Sequence, residues 1–295
     1  MSIRALLRLL LLPLATVPLF VGWLVTRPLA WLVPGLDAPL QRLWIGNWAR
    51  AILWIMGVEA RFEGPIPRRA GSKGEDLTDA DSVNATEPGA YLLVANHLSY
   101  VDIPLLLSRL DARFLAKSEI AGWPVLGLLA RSTGTLFVDR NRKRDLTRVI
   151  TEVKAVLRRG TGVIVFPEGT STDGSQVERF KPSLFAVPVE SGVPVRVAAL
   201  HYHAPEGPKP AWEAVCWWGD DPFGSHFMAF LNQPRTIATV TFSSEILRAP
   251  DDTKASARKA LAEAAQLATE RCFTPSRPME TEAPDPGATR PITSQ

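Results

Sequence analysis

Short apolar runs separated by stretches of helical periodicity recur between residues 91 and 242, and this alternation constrains the fold most. The strand-like runs are residues 91–95, 114–117, 135–138, 162–166, 195–200, 214–218 and 237–242. Helix-like stretches occupy 103–110, 124–132, 144–158, 182–190 and 222–231, with a last one, rich in Ala, Lys and Glu, at 253–271. Strands alternating with helices predict an α/β sheet with helices packed on its faces. Residues 58–63 add an edge strand. In such folds the reactive groups sit on the loops at one end of the strands.

The N-terminus follows a different rule. Residues 9–25 carry no charge, and Arg4 and Arg8 precede them. The run is at the short end of the roughly 17–25 residues that span a bilayer. Pro13 and Pro18 interrupt it, and an interior proline costs a helix about 3 kcal/mol. A second apolar segment, residues 43–58, carries Trp44, Trp48 and Trp54. Together with Trp23 and Trp31 these make five of the nine tryptophans, a residue that favours the headgroup level of a membrane. Residues 1–58 are therefore expected to form two membrane-anchoring helices, spanning or confined to one leaflet. Residues 66–89 are rich in Pro, Gly, Ser and acidic side chains and read as a mobile loop. Residues 274–295 read as a disordered tail. Between the anchor and the tail lies an α/β domain at 59–273, which includes the 66–89 loop.

Charge and cysteine content narrow the partners. The net charge of +3 suits an anionic membrane surface or phosphate-bearing substrates, but is too weak to argue for nucleic acid. Cys216 and Cys272 are far apart and lack a CxxC partner, so neither a disulfide framework nor a zinc site is expected. A reducing, cytosol-facing setting follows.

Three motifs carry chemistry. The run ending at Ala95 continues Asn96-His97-Leu98-Ser99-Tyr100-Val101-Asp102. A strand-to-helix turn here folds Asp102 back onto the His97 imidazole. A carboxylate on one ring nitrogen fixes the tautomer and leaves the other free to take a proton. The nucleophile is missing, and a substrate hydroxyl can supply it. Next comes Gly134…Phe137…Arg140, where an arginine at a strand end presents its fork to phosphate or carboxylate. Then residues 162–166 run into Pro167-Glu168-Gly169-Thr170. Glycine allows close backbone approach, and Glu168 and Thr170 are placed to hydrogen-bond a polar headgroup. Phe180-Lys181-Pro182 and Val193-Pro194 follow. No GxSxG appears, which disfavours a serine hydrolase.

In this order the motifs resemble those of the glycerolipid acyltransferase family: NHxxxxD, GxxFxxR, FPEGT and a proline-containing strand. The resemblance runs from about residue 91 to residue 200. It implies a single mixed sheet flanked by helices behind an N-terminal hydrophobic anchor. It also implies His97 as catalytic base and Asp102 as its partner, with Arg140, Glu168, Gly169, Thr170 and Lys181 binding the acceptor. Acyl-CoA or acyl-carrier protein would donate the acyl chain, with no metal or redox cofactor. The enzyme would sit at the inner membrane, its active site facing the cytoplasm. The first acceptor implied is 1-acylglycerol-3-phosphate. Two departures bear on that choice. Ser171 stands where the family often has arginine, and Val197 where it often has a second proline. A lost arginine removes a charge-assisted hydrogen bond of about 1.5–3 kcal/mol. Lyso-ornithine lipid, whose headgroup is an amino acid, is the alternative acceptor, and Cys216-Trp217-Trp218-Gly219-Asp220 resembles a feature of such bacterial members. A catalytically inactive lipid-binding protein is a third reading, against which intact His97, Asp102, Arg140 and Glu168 argue.

Overall fold

The computed structural model describes residues 2–33, 35–68, 89–124, 126–139 and 143–278. Arg140 and most of the expected 66–89 loop lie outside these residues, as does the tail from residue 279.

Helix α1 (Ile3–Leu32) is followed by α2 (Asp37–Gln41), a π-helical turn (Arg42–Gly46) and α3 (Asn47–Met56). The sheet comprises β1 (Val58–Glu63), β2 (Leu92–Ala95), β3 (Ala112–Lys117), β4 (Leu136–Val138), β5 (Gly162–Val165), β6 (Val195–Glu206) and β7 (Arg235–Phe242). Its order is β1-β7-β6-β2-β5-β3-β4. Only the β6–β7 pairing is antiparallel among the adjacent pairs, so the single sheet is mixed, as expected. β2 and β5 are buried along their whole length and read as unbroken apolar runs. Crossover helices α4 (Asp102–Leu107), α5 (Leu126–Ser132) and α6 (Lys143–Arg158) connect the parallel strands, and α7 (Ala186–Ser191) leads into β6. Helices α8 (Ala211–Ala214) and α9 (Phe223–Asn232) separate β6 from β7, and α10 (Lys254–Cys272) closes the domain. Two cores form. One lies between β2, β6 and β7 and the α1, α3, α4 and α9 helices, and the other beneath α6, α7 and α10.

Three expectations change. The prolines do not break α1, which runs through Pro13, Pro18 and Pro28. Tertiary contacts fix it instead: Ala5 and Trp23 are buried in the first core. The buried Arg8 side chain donates to the carbonyls of Leu231, Gln233 and Pro234 at 3.1, 2.5 and 3.1 Å. Trp23, expected at a lipid headgroup, donates its Nε1–H to Ser132 O at 2.8 Å, and Arg27 reaches the same oxygen at 3.1 Å. The opposite face of α1 is exposed and apolar, with Leu10, Leu14, Val17, Val21 and Val25 in one stripe. The helix is long and apolar enough to cross a membrane.

Second, residues 214–218 are not a strand. The amides of Val215 and Cys216 bond back to Ala211 O, ending α8, and Trp217 N donates to Leu98 O at 2.8 Å. With Ala214 N donating to Pro210 O at 3.1 Å, the amides of residues 214–217 are all engaged outside any strand ladder. Third, the tail does not begin at residue 274. Residues 274–278 pack against β6 and the loop after β5.

Candidate active site

The site gathers at the carboxyl ends of three neighbouring strands, β2, β5 and β3, where a parallel sheet opens a crevice. β2 pairs with β6 up to Ala95–Ala198, and there the Asn96 side chain takes over the ladder. Its Oδ1 accepts from Leu200 N at 2.7 Å and its Nδ2 donates to Leu200 O at 3.1 Å. The amide thus acts as one more peptide unit and fixes the direction in which the chain leaves the strand.

His97 and Asp102 meet. His97 Nδ1 lies 2.7 Å from Asp102 Oδ2. The same oxygen accepts from the amides of Leu98 and Ser99 at 2.8 and 3.1 Å, and Tyr202 donates its hydroxyl to Oδ1 at 2.6 Å. Asp102 is wholly buried, and four donors stabilise its charge there. Its hold on Nδ1 requires the N–H there, so Nε2 carries the lone pair, and Nε2 has no partner among the described residues. The imidazole lies flat on Phe166, with centroids 4.1 Å apart and planes 5° apart. Burial, and then the neighbouring Asp102 carboxylate, push the Tyr202 hydroxyl well above its usual range, so it stays a donor.

A cleft of ≈ 400 Å³ opens beside His97. Its walls are mainly apolar, with Ile103, Phe114, Ile120, Trp123, Phe166 and Trp217. Gly169, Thr170 and Ser171 form one rim, and Lys117 and Glu119 another. Gly169 has φ 79°, a left-handed conformation that a side chain would strain. Trp123 and Trp217 meet edge to face at 6.3 Å. Behind Trp217, His226 Nε2 lies 2.9 Å from Cys216 O, which only an N–H can satisfy, so Nδ1 accepts from Tyr100 Oη at 3.2 Å.

Glu168 was expected at the acceptor headgroup, but its carboxylate is buried and turned to the chain itself. Oε2 accepts from His97 N at 2.7 Å and Oε1 from Glu178 N at 2.9 Å. It staples the β5 turn to the His97 loop. Burial pushes its carboxyl up to about 8, against the pull of the two backbone N–H groups. Thr170 and Gly169 do line the cleft. Lys181 is exposed just before the 3₁₀ turn Pro182–Phe185, outside the described lining residues. Arg140 lies outside the described residues. Sequence reasoning missed Tyr202, Lys117, Glu119 and Trp123, and named Trp217 only within the Cys216–Asp220 segment. Phe166 was read as the last residue of a strand and the first of the FPEGT motif, without its stacking role under the imidazole.

A family model described as Acyltransferase matches residues 77–200. Over 234 residues the chain is 30% identical to the lyso-ornithine lipid O-acyltransferase of Rhizobium meliloti, covering 76% of this chain and 73% of that protein. The chain belongs to this acyltransferase family. It is 38% identical over 148 residues to the protein of the same name from Rhodobacter capsulatus, covering 48% of this chain and about half, 52%, of that relative's length. It is also 36% identical over 124 residues to the 1-acyl-sn-glycerol-3-phosphate acyltransferase of Neisseria gonorrhoeae, covering 42% of this chain and 49% of that protein. The crystal structure of the 1-acyl-sn-glycerophosphate acyltransferase PlsC from Thermotoga maritima superposes with a TM-score of 0.58 at 20% identity, covering 91% of this chain and 96% of that one. That likeness establishes the shared fold.

Proposed function

We propose that this acyltransferase moves a fatty acyl chain from acyl-CoA or acyl-carrier protein to the hydroxyl of a lyso-ornithine lipid. The observation that carries acyl transfer is the 2.7 Å contact between His97 Nδ1 and Asp102 Oδ2 at the wall of an apolar cleft. His97 Nε2 takes the proton of the acceptor hydroxyl as its oxygen attacks the thioester carbonyl. The imidazolium that forms is stabilised by Asp102. When the tetrahedral intermediate collapses, the C–S bond breaks and the sulfur leaves with the proton held on Nε2. An ester and a free thiol result, and His97 is neutral again. Phe166 and Asp102 fix the ring in plane and in tautomer, so no reorganisation is required at the moment of attack.

Two features support an amino-acid headgroup. Ser171 occupies the place of a phosphate-binding arginine. Lys117 and Glu119 present opposite charges on one cleft rim, and neither forms an ion pair among the described residues. A headgroup with both a carboxylate and an ammonium satisfies both, whereas a phosphate dianion leaves Glu119 repelled. The second reading is lysophosphatidate, the acceptor in the Neisseria relative's name. The apolar stripe of α1 supports a seat in the membrane beside both lipid substrates.

The test is an acceptor panel with purified enzyme and one labelled acyl donor. Lyso-ornithine lipid should be acylated best. Transfer to lysophosphatidate alone would exclude the headgroup assigned here.

A further inference from the structure

We infer that the segment after α10, residues 274–278, is a clasp that positions both members of the His97–Asp102 pair, with Ser276 and Arg277 as its positioning residues. The inference rests on the acyl-transfer reading of that pair.

β6 is longer than its neighbour β2, so β6 leaves edge amides uncovered beyond Ala198. Buried amides need partners. Asn96 supplies one for Leu200, and Ser276 supplies the next: its Oγ accepts from Tyr202 N at 2.9 Å. Tyr202 is the residue whose hydroxyl holds Asp102 Oδ1. On its other side the clasp grips the loop after β5. Ser276 N donates to Gly174 O at 2.8 Å. Gly174 has φ 76°, and a Cβ there would come within 2.9 Å of Ser276 Cβ, so the two strands of chain are in close contact. Arg277 Nη1 donates to Asp173 Oδ2 at 2.8 Å while its guanidinium lies 4.6 Å over the Trp212 ring. The neighbouring Thr172 amide donates to His97 O at 2.9 Å. One five-residue segment therefore reaches the backbone of His97 by way of Gly174, Asp173 and the adjoining Thr172, and the support of the carboxylate through Tyr202. No substrate contact is needed for this role.

The test uses full-length enzyme in phospholipid vesicles. Arg277→Met and Ser276→Ala should each lower kcat about tenfold while KM for donor and acceptor stays within about twofold, as expected for misalignment of reacting groups rather than loss of binding. Arg277→Lys should recover most of the rate, because a cation over Trp212 remains. Asp173→Asn removes the same ion pair from its other end, and combined with Arg277→Met it should add little. An unchanged kcat in Arg277→Met and Ser276→Ala would overturn the clasp, as would a rate loss that merely tracks a fall in melting temperature and a rise in KM. His97→Ala is the control for the underlying reading. If His97→Ala stays active, that reading fails. If His97→Ala is inactive while the clasp variants are normal, the clasp alone fails.

Discussion

Tyr202 and His97 grip opposite oxygens of one buried carboxylate: the phenol holds Asp102 Oδ1 at 2.6 Å and the imidazole holds Oδ2 at 2.7 Å. The phenol comes from β6 and the imidazole from the loop after β2, so two adjacent strands fix the carboxylate between them. Tyr202→Phe deletes one of the four bonds to Asp102. We expect it to cost about 1–2 kcal/mol of stability and to lower kcat several-fold, with KM little changed. Thermal melting and steady-state kinetics on the same preparation measure both, and a variant indistinguishable from wild type would discount the contact.

His97→Ala should lower turnover by about 10²–10⁴-fold, the usual scale for losing a general base, while the melting temperature stays near wild type. Asp102→Asn should also lose most activity, because its amide cannot accept from Leu98 N, Ser99 N and Tyr202 Oη as a carboxylate does. Near-normal rates in either variant would remove the proton-transfer role.

Glu168 makes stability depend on pH. Its folded-state carboxyl is raised from 4.5 to about 8, so between these values the folded chain binds more protons than the unfolded one. Stability due to this group is therefore full below pH 4.5 and falls as pH rises toward 8. In Glu168→Gln that slope should shrink. The variant should also melt lower at pH 5, because an amide must turn an N–H toward His97 N or Glu178 N. Melting curves from pH 5 to 9 that run parallel for the two proteins would contradict this.

The rim charges should set acceptor preference. Glu119→Gln should lower kcat/KM for lyso-ornithine lipid about tenfold and leave or improve that for lysophosphatidate, since a charge-assisted hydrogen bond is worth about 1.5–3 kcal/mol. Lys117→Met should impair both acceptors. Equal losses on both lipids in Glu119→Gln would argue that it does not read the headgroup.

Removing residues 1–58 is a poor test of the membrane seat, because Ala49, Ile52, Leu53 and Met56 belong to the core. Point changes on the exposed stripe are cleaner. Leu10→Gln, Leu14→Gln and Val17→Gln together withdraw three side chains, each worth about 1.5–3 kcal/mol when buried. Vesicle sedimentation should show most of the triple variant in the supernatant with an unchanged melting temperature. Full retention on washed vesicles would count against this face.

The parallel strands were legible because strands buried on both faces are continuous apolar runs, and His97 and Asp102 because five residues is the length of a strand-to-helix turn. Tyr202 was not legible, since its partner lies 100 residues away and only the sheet order joins them. Glu168 shows a different limit. Its presence after β5 was plain, but its side chain is held by one amide from the distant His97 loop and one, Glu178 N, ten residues along its own loop. The 214–218 stretch misled because Ala214, Val215 and Cys216 are indeed buried, while the backbone amides of residues 214–217 go to a helix end and to Leu98.

Helix α1 is bolted to the catalytic domain twice, at Arg8 and at Trp23 with Arg27, points about 23–28 Å apart along its axis. Two bolts remove the swing that one would allow. A flexible tether would let the domain sample many heights and tilts over a bilayer, whereas this helix, seated in a membrane as proposed above, would act as a rail and allow one attitude. Any change in how deeply the rail rides must lift or lower the cleft mouth with it, so lipid packing around α1 would set the distance a lysolipid has to rise to reach His97.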